Sequence, residues 1–359
     1  MEKIVYFTGA GFSAPLGLPV MGNFYFKSQD MYSANPEQYK HFKEIFKEIQ
    51  RISVTKNYYS GDLFNVEEIL SILEMRAQLE GSKLKETFVE YLCDVVRFHT
   101  PELKSYGGIL GANWHDFLFG NRESIYRGIA TFVANIFNLT IVQIASRGDI
   151  GSKERFLMQR RETDDCRYAI VTVNYDRIIE QVIDYWNSNF GRLRGPITFT
   201  ELEDIEKNAW NLPALVKLHG SVDSGTIVPP TWSKGVYEEI LPAWRFAHAL
   251  LRESTQIRIL GYSLPVADAN VKYLLKSSVT ESPQLKAIDV ICWDPDGTVK
   301  GRYKNFVEFR DLRFRSAKLE DYFGAVINAI GDPNRLPMKQ MVFDHLERAH
   351  SRFMESGNE

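Results

Sequence analysis

Five short apolar runs, each rich in β-branched residues, constrain the fold of this chain more than any other feature of its sequence. Several of them are apolar at nearly every position, which is typical of parallel strands covered by helices on both faces. Helical patterns lie between them, and this alternation predicts an α/β fold with a doubly wound, mostly parallel, Rossmann-like sheet. The predicted strands are Ile4 to Thr8, Tyr168 to Val173, Leu215 to Leu218, Ile257 to Leu260 and Ile288 to Trp293.

The segment between the first two predicted strands is too long for a simple crossover. From about Val20 to Asp165 it reads as helices, and Asn65 can cap one of them because apolar residues follow it at the 3.6-residue period. The stretch from Ser124 to Ala145 reads as one long internal helix. We therefore predict a large helical insertion, which could instead be a separately folding domain.

Further helical patterns accompany the later strands. One runs from Asp176 to Trp186, and another runs from Val236 to Leu251, where Pro242 is expected to kink or divide the helix. Two C-terminal helices are expected near 319–330 and 343–353. The predicted units are a Rossmann-like domain formed by 1–19 and 166–316, the helical insertion at 20–165 and a C-terminal helical segment at 317–359.

Composition narrows the classes of function. The chain of 359 residues is 44% hydrophobic and 25% charged, as in ordinary soluble proteins, and its net charge of −3 argues against direct nucleic-acid binding. The start, MEKIVYF, predicts no secretory signal, and the least charged stretch, 128–145, is short for a bilayer span. Cys93, Cys166 and Cys292 lie far apart, which rules out a four-cysteine zinc site and disfavours a disulfide framework. We expect a cytoplasmic protein without membrane association.

A glycine-rich turn follows the first predicted strand. The run from Gly9 through Ala10, Gly11 and Ser13 to Ala14 fits the G-x-G-x-x-(G/A) dinucleotide pattern, whose glycines permit a tight turn and let backbone amides approach a pyrophosphate. The Ser13 hydroxyl could add a donor. Alone this pattern is weak, because such turns also serve backbone packing. The loop Pro15-Leu-Gly-Leu-Pro19 follows in place of the usual second strand, which disfavours a plain dehydrogenase.

Three more motifs end predicted strands. They are Thr172-Val-Asn-Tyr-Asp176, Lys217-Leu-His-Gly220 and Gly261-Tyr-Ser-Leu-Pro265. Ligands of doubly wound sheets bind at the carboxyl ends of the strands, so the three motifs are expected to converge with the glycine turn. Each polar residue also has a purely structural interpretation. Asn174 and Asp176 could cap the following helix, and His219 could be a structural histidine at a strand end.

In combination, the four motifs resemble those of the sirtuin family, and specifically its sirtuin-like NAD-hydrolase branch found in bacterial defence systems. The resemblance extends over roughly half of the chain, and four ordered matches are far more specific than one. Gly9-Ala10-Gly11, Ser13 and Gly17-Leu-Pro19 match the pattern G-A-G-x-S-x-x-x-G-[IL]-P. Thr172, Asn174 and Asp176 match T-x-N-x-D. His219-Gly220 matches H-G, and Gly261 with Ser263 matches G-x-S.

The resemblance implies roles for these residues. Asn174 would hold the nicotinamide ribose or the attacking water, His219 would act as base on a ribose hydroxyl, and Asp176 would orient the motif. Trp293 could stack near the adenine, or it could pack in the core. The residues expected to line the dinucleotide are Gly9, Ala10, Gly11, Ser13, Pro19, Thr172, Gly261 and Ser263.

Departures from the family pattern matter as well. Pro19 is followed by Val20-Met-Gly, whereas protein-deacylating sirtuins continue with Asp-Phe-Arg, so the nicotinamide contacts of that Asp cannot be transferred. Between Gly220 and Gly261 there is no cysteine, so we expect no zinc. In that interval Trp232 and Lys234 are candidates to close the pocket, although for Trp232 the interpretation as a packed loop aromatic is favoured.

The resemblance implies that NAD is the substrate and that nicotinamide and ADP-ribose are the products, in a regulated, NAD-depleting antiphage effector. It also implies a homo-oligomer, a co-encoded partner, or both; the partner could be a translocase-type ATPase, an Argonaute-like protein or a nucleotide sensor. A non-catalytic NAD or ADP-ribose sensor is the first alternative, and ADP-ribosyl transfer or deacylation is a weaker one. We interpret the basic run at 302–315 as a solvated face first and a partner surface second.

Overall fold

The structure is a computed structural model. It describes residues 1–53, 66–102, 124–143, 156–160, 166–189, 197–200, 213–224, 227–228, 240–266, 268–308, 311–329, 340–342 and 346–356. Trp232 and Lys234 lie outside these ranges, as does Asn65.

A six-stranded parallel sheet is the centre of the fold. In the described residues the strands are β1 (Glu2–Thr8), β2 (Leu139–Gln143), β3 (Phe156–Arg160), β4 (Cys166–Thr172), β5 (Ala214–Lys217), β6 (Gln256–Leu260), β7 (Ala287–Cys292), β8 (Leu312–Ser316) and β9 (Gln340–Val342). The parallel sheet has the order β5-β4-β1-β6-β7-β8. If the six strands of this sheet are renumbered from 1 to 6 in chain order, the sheet order becomes 3-2-1-4-5-6, which is that of a Rossmann sheet. The predicted fold class is therefore confirmed, and the strand order reverses between β1 and β6.

Helices cover both faces of this sheet. The described helices are α1 (Ala10–Ser13), α2 (Phe24–Ala34), α3 (Phe42–Ser53), α4 (Val66–Glu80), α5 (Leu84–His99), α6 (Ser124–Ile136), α7 (Ile178–Asn189), α8 (Leu241–Arg252), α9 (Ala269–Thr280), α10 (Thr298–Phe306), α11 (Leu319–Ala329) and α12 (Leu346–Glu355). Ile4 and Tyr6 of β1 pack with α6, α7, α11 and α12, whereas Val5 and Phe7 pack with α8, α9 and α10. Because successive side chains of a strand point to opposite faces, two covered faces explain the unbroken apolar runs.

Several predicted elements differ from those in the structure. The helix predicted from Ser124 to Ala145 ends at Ile136, since the chain turns through Asn138 at φ +50° and then forms β2. Strands β2 and β3 lie in the segment predicted to be helical, and they form a separate antiparallel sheet with β9 in the order β3-β2-β9. The division of the chain into three units stays a prediction.

Pro242 starts a helix and does not kink one. It occupies the first turn of α8, where the missing backbone N–H would have no intrahelical partner in any case. The sequence also missed β8, the edge strand with the sequence LRFRS, because its alternating arginines break the apolar run.

A lobe formed by α2 to α5 has an apolar cluster of its own. This cluster includes Val222 and Ile227 from the chain that follows β5, and Tyr175 from the chain after β4 packs against it. The Arg97 guanidinium of α5 donates a hydrogen bond to the Val222 carbonyl. The lobe therefore contacts the loops at the carboxyl edge of β4 and β5.

The C-terminal helix α12 is attached to the sheet through buried ionic groups. Arg258 of β6 is 2% exposed and donates to both carboxylate oxygens of Glu347, at 2.8 and 2.5 Å. A second ion pair joins Asp289 of β7 to Arg313 of β8, and Arg315 lies over the Phe353 ring at 3.6 Å. Arg313 and Arg315 therefore bind groups of the same chain, which corrects the interpretation of 302–315 as a solvated face for these two residues.

His350 makes folding stability depend on pH. Its Nε2 lies 2.8 Å from Asp289 Oδ2 and its Nδ1 lies 3.1 Å from the Tyr322 hydroxyl, so neutral His350 donates to the carboxylate and accepts from the tyrosine. Burial, together with the charge of Arg258, lowers the pKa of His350 to about 4, whereas an unfolded histidine titrates near 6.5. The unfolded chain therefore binds more protons than the folded one between these two values. We expect this residue to make the protein less stable by about 2 kcal/mol at pH 5 than at pH 7.

Urea unfolding of the wild type and of His350→Gln at both pH values tests this prediction. The glutamine does not titrate, so the loss of unfolding free energy between pH 7 and pH 5 should be about 2 kcal/mol smaller in the variant. Equal losses would contradict the prediction. Asp289 does not interfere in this range. Burial raises the pKa of its carboxyl, but hydrogen bonds from His350 and Arg313 outweigh burial and bring it to about 2.

Candidate active site

The glycine turn after β1 and the turn after β6 meet at the point where the strand order reverses. The Gly11 amide donates to the Gly261 carbonyl at 2.9 Å. A Cβ on Gly261 would lie 2.4 Å from the carbonyl carbon of Gly11, and a Cβ on Gly9 would lie 2.8 Å from Tyr262 Cα. The three glycines are therefore required because two backbones touch, which is the packing interpretation of the turn. The contact also places both motifs at the crevice where doubly wound folds bind nucleotides.

Asn174 binds the glycine turn. Its side-chain amide Nδ2 donates to the Gly9 carbonyl at 3.0 Å and contacts Ser13 Oγ at 3.2 Å, while its backbone amide donates to Thr172 Oγ1 at 3.0 Å. The side chain therefore does not cap α7, which was the structural alternative. Instead, it ties the chain after β4 to the turn after β1, and Asn174 remains partly exposed.

Asp176 does make the local structural contact. Its carboxylate accepts from the Ile178 amide at 3.1 Å in the first turn of α7. The Asp176 carbonyl accepts from Lys217 Nζ, which also lies 2.6 Å from Glu180 and 3.3 Å from Ser221 Oγ. Lys217 thus joins the loops that follow β4 and β5 to α7.

A small cavity lies between the glycine turn, the ends of β4 and β5, and α7. It encloses about 210 Å³ of empty space, part of which is open to solvent. Asn174 and Asp176 line it, with the ion pair of Lys217 and Glu180 among the other walls. The complete lining is Thr8, Phe12, Thr172, Asn174, Asp176, Ile179, Glu180, Leu215 and Lys217.

His219 follows β5 beside Asn174. The register pairs Thr172 with Lys217, so Asn174 and His219 each lie two residues beyond paired positions on neighbouring strands. The imidazole is only 1% exposed and does not line the cavity. Its ring centre lies 6.2 Å from that of Tyr175, and its Nε2 is 3.9 Å from a carboxylate oxygen of Asp268. His219 is therefore a buried residue outside the cavity lining, two residues along the chain from the lining residue Lys217.

The remaining predicted residues lie along the same edge. The Ser263 carbonyl accepts from the Arg302 guanidinium at 3.2 Å. Trp293 is 55% exposed at the end of β7, with Lys318 Nζ 5.5 Å from its ring centre, so the interpretation that it packs in the core is wrong. Ala10 is exposed and Pro19 is partly exposed.

Sequence reasoning assigned no role to three charged residues near the site. Lys217 stands inside a quoted motif, but nothing local indicates its partners. Glu180 looks like any acidic residue in the first turn of a helix, and Asp268 looks like an ordinary helix cap. Only the folded chain brings Lys217 to Glu180 and Asp268 to His219.

The described ranges contain no group of three or more His, Cys, Asp or Glu side chains arranged to hold a metal ion. Among the helices in these ranges, none has the length and apolarity needed to cross a bilayer.

One comparison with known proteins matches part of this chain to a family. A family model described as the SIR2-like domain matches residues 168–311, which include the second, third and fourth motifs. Among solved structures, Sir2 in complex with the inhibitor EX-527, 2'-O-acetyl-ADP-ribose and a deacetylated p53 peptide aligns at 13% identity and a TM-score of 0.31, and Sir2Tm bound to a propionylated peptide aligns at 13% identity and 0.33. Each alignment covers 90% of this chain and 92% of the other, and at such scores neither adds to the fold assignment. No curated protein matches significantly.

Proposed function

Because a SIR2-like domain model matches residues 168–311, we propose that this chain is a sirtuin-like protein and that it hydrolyses NAD at the carboxyl edge of its parallel sheet. Water attacks the anomeric carbon of the nicotinamide ribose. The bond from that carbon to the pyridine nitrogen breaks, and its electron pair leaves with neutral nicotinamide. The products are nicotinamide, ADP-ribose and one proton.

One observation carries this proposal. The Asn174 amide is hydrogen-bonded to the Gly9 carbonyl and to Ser13 Oγ, so a polar side chain of the second motif is held against the glycine turn of the first. These two bonds use both N–H groups of the amide, so its Oδ1 is held in one position as an acceptor, which suits the task of orienting a ribose hydroxyl or a water. Asn174 also lines the cavity at the ends of β4 and β5.

The proposed roles follow from these positions. Asn174 holds the nicotinamide ribose or the attacking water, and His219 accepts a proton from a ribose hydroxyl, as suits an imidazole near neutral pH. Asp176 holds the chain after β4 against α7 through the Ile178 amide. Ser13 and Ser263, on the two turns that meet at the switch point, line the dinucleotide.

A second function is favoured by the burial of His219. An imidazole that is 1% exposed and lies outside the cavity would have no direct access to a sugar hydroxyl in this conformation. A subunit that binds NAD or ADP-ribose without cleaving it would need only the glycine turns and Asn174. This sensor is the alternative proposal.

Two measurements on the same purified protein separate the proposals. Chromatography of a mixture with NAD detects released nicotinamide, and calorimetry detects binding of NAD and of ADP-ribose. Hydrolysis predicts equal amounts of nicotinamide and ADP-ribose. Binding without nicotinamide would support the sensor, and the absence of both binding and release, with any co-encoded partner present, would contradict both proposals.

We further propose that the activity serves antiphage defence in the cytoplasm by depleting NAD. Unregulated NAD hydrolysis is toxic, so we expect low basal activity, controlled by a homo-oligomer or by a co-encoded partner. The helical lobe and the C-terminal helices are the proposed partner surfaces. Cellular NAD should fall after phage infection in cells that carry the chain with its neighbouring genes, and an unchanged NAD level would contradict this role.

A further inference from the structure

Asp268 is a buried carboxylate next to His219. It is 1% exposed and occupies the position before α9, yet its side chain does not cap that helix. Instead, Oδ2 accepts a hydrogen bond from the Tyr262 hydroxyl at 2.7 Å, and the same oxygen lies 3.9 Å from His219 Nε2. A buried carboxylate is costly unless charged or polar partners compensate for the lost water. An imidazole that becomes positively charged would be such a partner.

The backbone of the chain between β6 and Asp268 is held in one conformation. It leaves β6, which is separated from β5 by β4 and β1, and it brings the carboxylate across the sheet edge to His219. Leu264 adopts φ +51°, a conformation that costs about 1 kcal/mol or more for a residue with a side chain. The Tyr303 hydroxyl donates to the Tyr262 carbonyl at 2.8 Å. The fold thus maintains a strained loop that fixes the position of this oxygen.

We propose that Asp268 is a positioning residue for His219. Its carboxylate orients the imidazole and stabilises the imidazolium that forms when His219 accepts a proton from the ribose hydroxyl. At 3.9 Å the carboxylate is within ion-pair range of the imidazole once the ring is protonated, and catalytic contacts that are long without substrate often tighten in the complex. This inference rests on the proposed hydrolysis. Among the described residues, the groups recorded beside His219 are the Asp268 carboxylate, the Tyr175 ring and the Trp244 ring, and the Tyr262 hydroxyl reaches it only through Asp268.

Asp268→Asn tests the pairing through the pH profile. The amide keeps the shape and removes the charge, so we expect kcat/KM for NAD to fall about 10- to 100-fold and the acidic limb of the profile to move about one pH unit lower. Asp268→Glu should recover part of the rate. The matched control is Asp311→Asn, an exposed aspartate at the opposite, amino-terminal edge of the sheet, which should match the wild type. A residue that acts only on folding would lower the rate without moving the limb.

A second measurement does not require turnover. Protein labelled with ¹⁵N-histidine gives ring signals, and His219→Gln identifies the signal of His219. Its titration midpoint should fall by about one pH unit in Asp268→Asn. In Tyr262→Phe, which keeps the carboxylate and removes only its neutral donor, the midpoint should rise by a few tenths. Equal midpoints in all three proteins would overturn the proposal. If the His219 midpoint shifts as expected in the two variants but the wild type releases no nicotinamide, the hydrolysis is contradicted and the pairing is supported.

Discussion

Replacing Asn174 by alanine should reduce nicotinamide release from NAD at least about 100-fold while leaving the fold intact. The substitution removes the amide that lies 3.0 Å from the Gly9 carbonyl and 3.2 Å from Ser13 Oγ. Among the described residues that line the cavity there is no other side-chain amide to take its place. The wild type and the variant would be compared by chromatography of nicotinamide, with thermal unfolding as the measure of the fold.

Two further variants sharpen this test. Asn174→Asp keeps the size and the acceptor but has no donor for Gly9 or Ser13, so its rate should also fall. Asn305→Ala removes an exposed asparagine on α10 and should change nothing. Full nicotinamide release by Asn174→Ala would refute the proposed mechanism. A lost fold in that variant would instead show that its amide serves structure, and Asn174→Asp would then decide the matter.

Replacing Gly261 by alanine should destabilise the protein by about 3 kcal/mol or more. Gly261 has φ +64°, and the added Cβ would lie 2.4 Å from both the Gly11 carbonyl carbon and the Phe12 amide nitrogen. Backbone atoms of the neighbouring turn cannot move aside as a flexible side chain could. The two turns would separate, so NAD binding should weaken together with the stability measured in urea.

Gly297→Ala is the matched control. Gly297 has a similar φ of +78°, but no atom lies within 4 Å of the position its Cβ would occupy. The variant therefore measures the conformational cost alone, about 1 kcal/mol. The excess cost at Gly261 reports the contact between the two turns. Equal costs at the two positions would contradict that contact.

The local sequence determined which elements form and which residue types end the strands. The nearly continuous apolar runs that begin at Ile4 and Tyr168 predicted buried parallel strands, because a strand covered on both faces has no polar side. The four motifs were predicted at the carboxyl ends of strands, where the structure has them. Local patterns failed at β8 and at Asn138. At β8 an edge position tolerates arginines, and at Asn138 one left-handed residue ends a helix whose apolar pattern continues.

Only the tertiary structure decided which of the predicted residues touch. Asn174 donates to a carbonyl 165 positions earlier in the chain, and the amide of Gly11 meets the carbonyl of Gly261. Such contacts depend on the order of strands in the sheet, which no local periodicity encodes. The same reason explains Asp268, which by its neighbours is an ordinary helix cap but after folding is a buried carboxylate 3.9 Å from an imidazole.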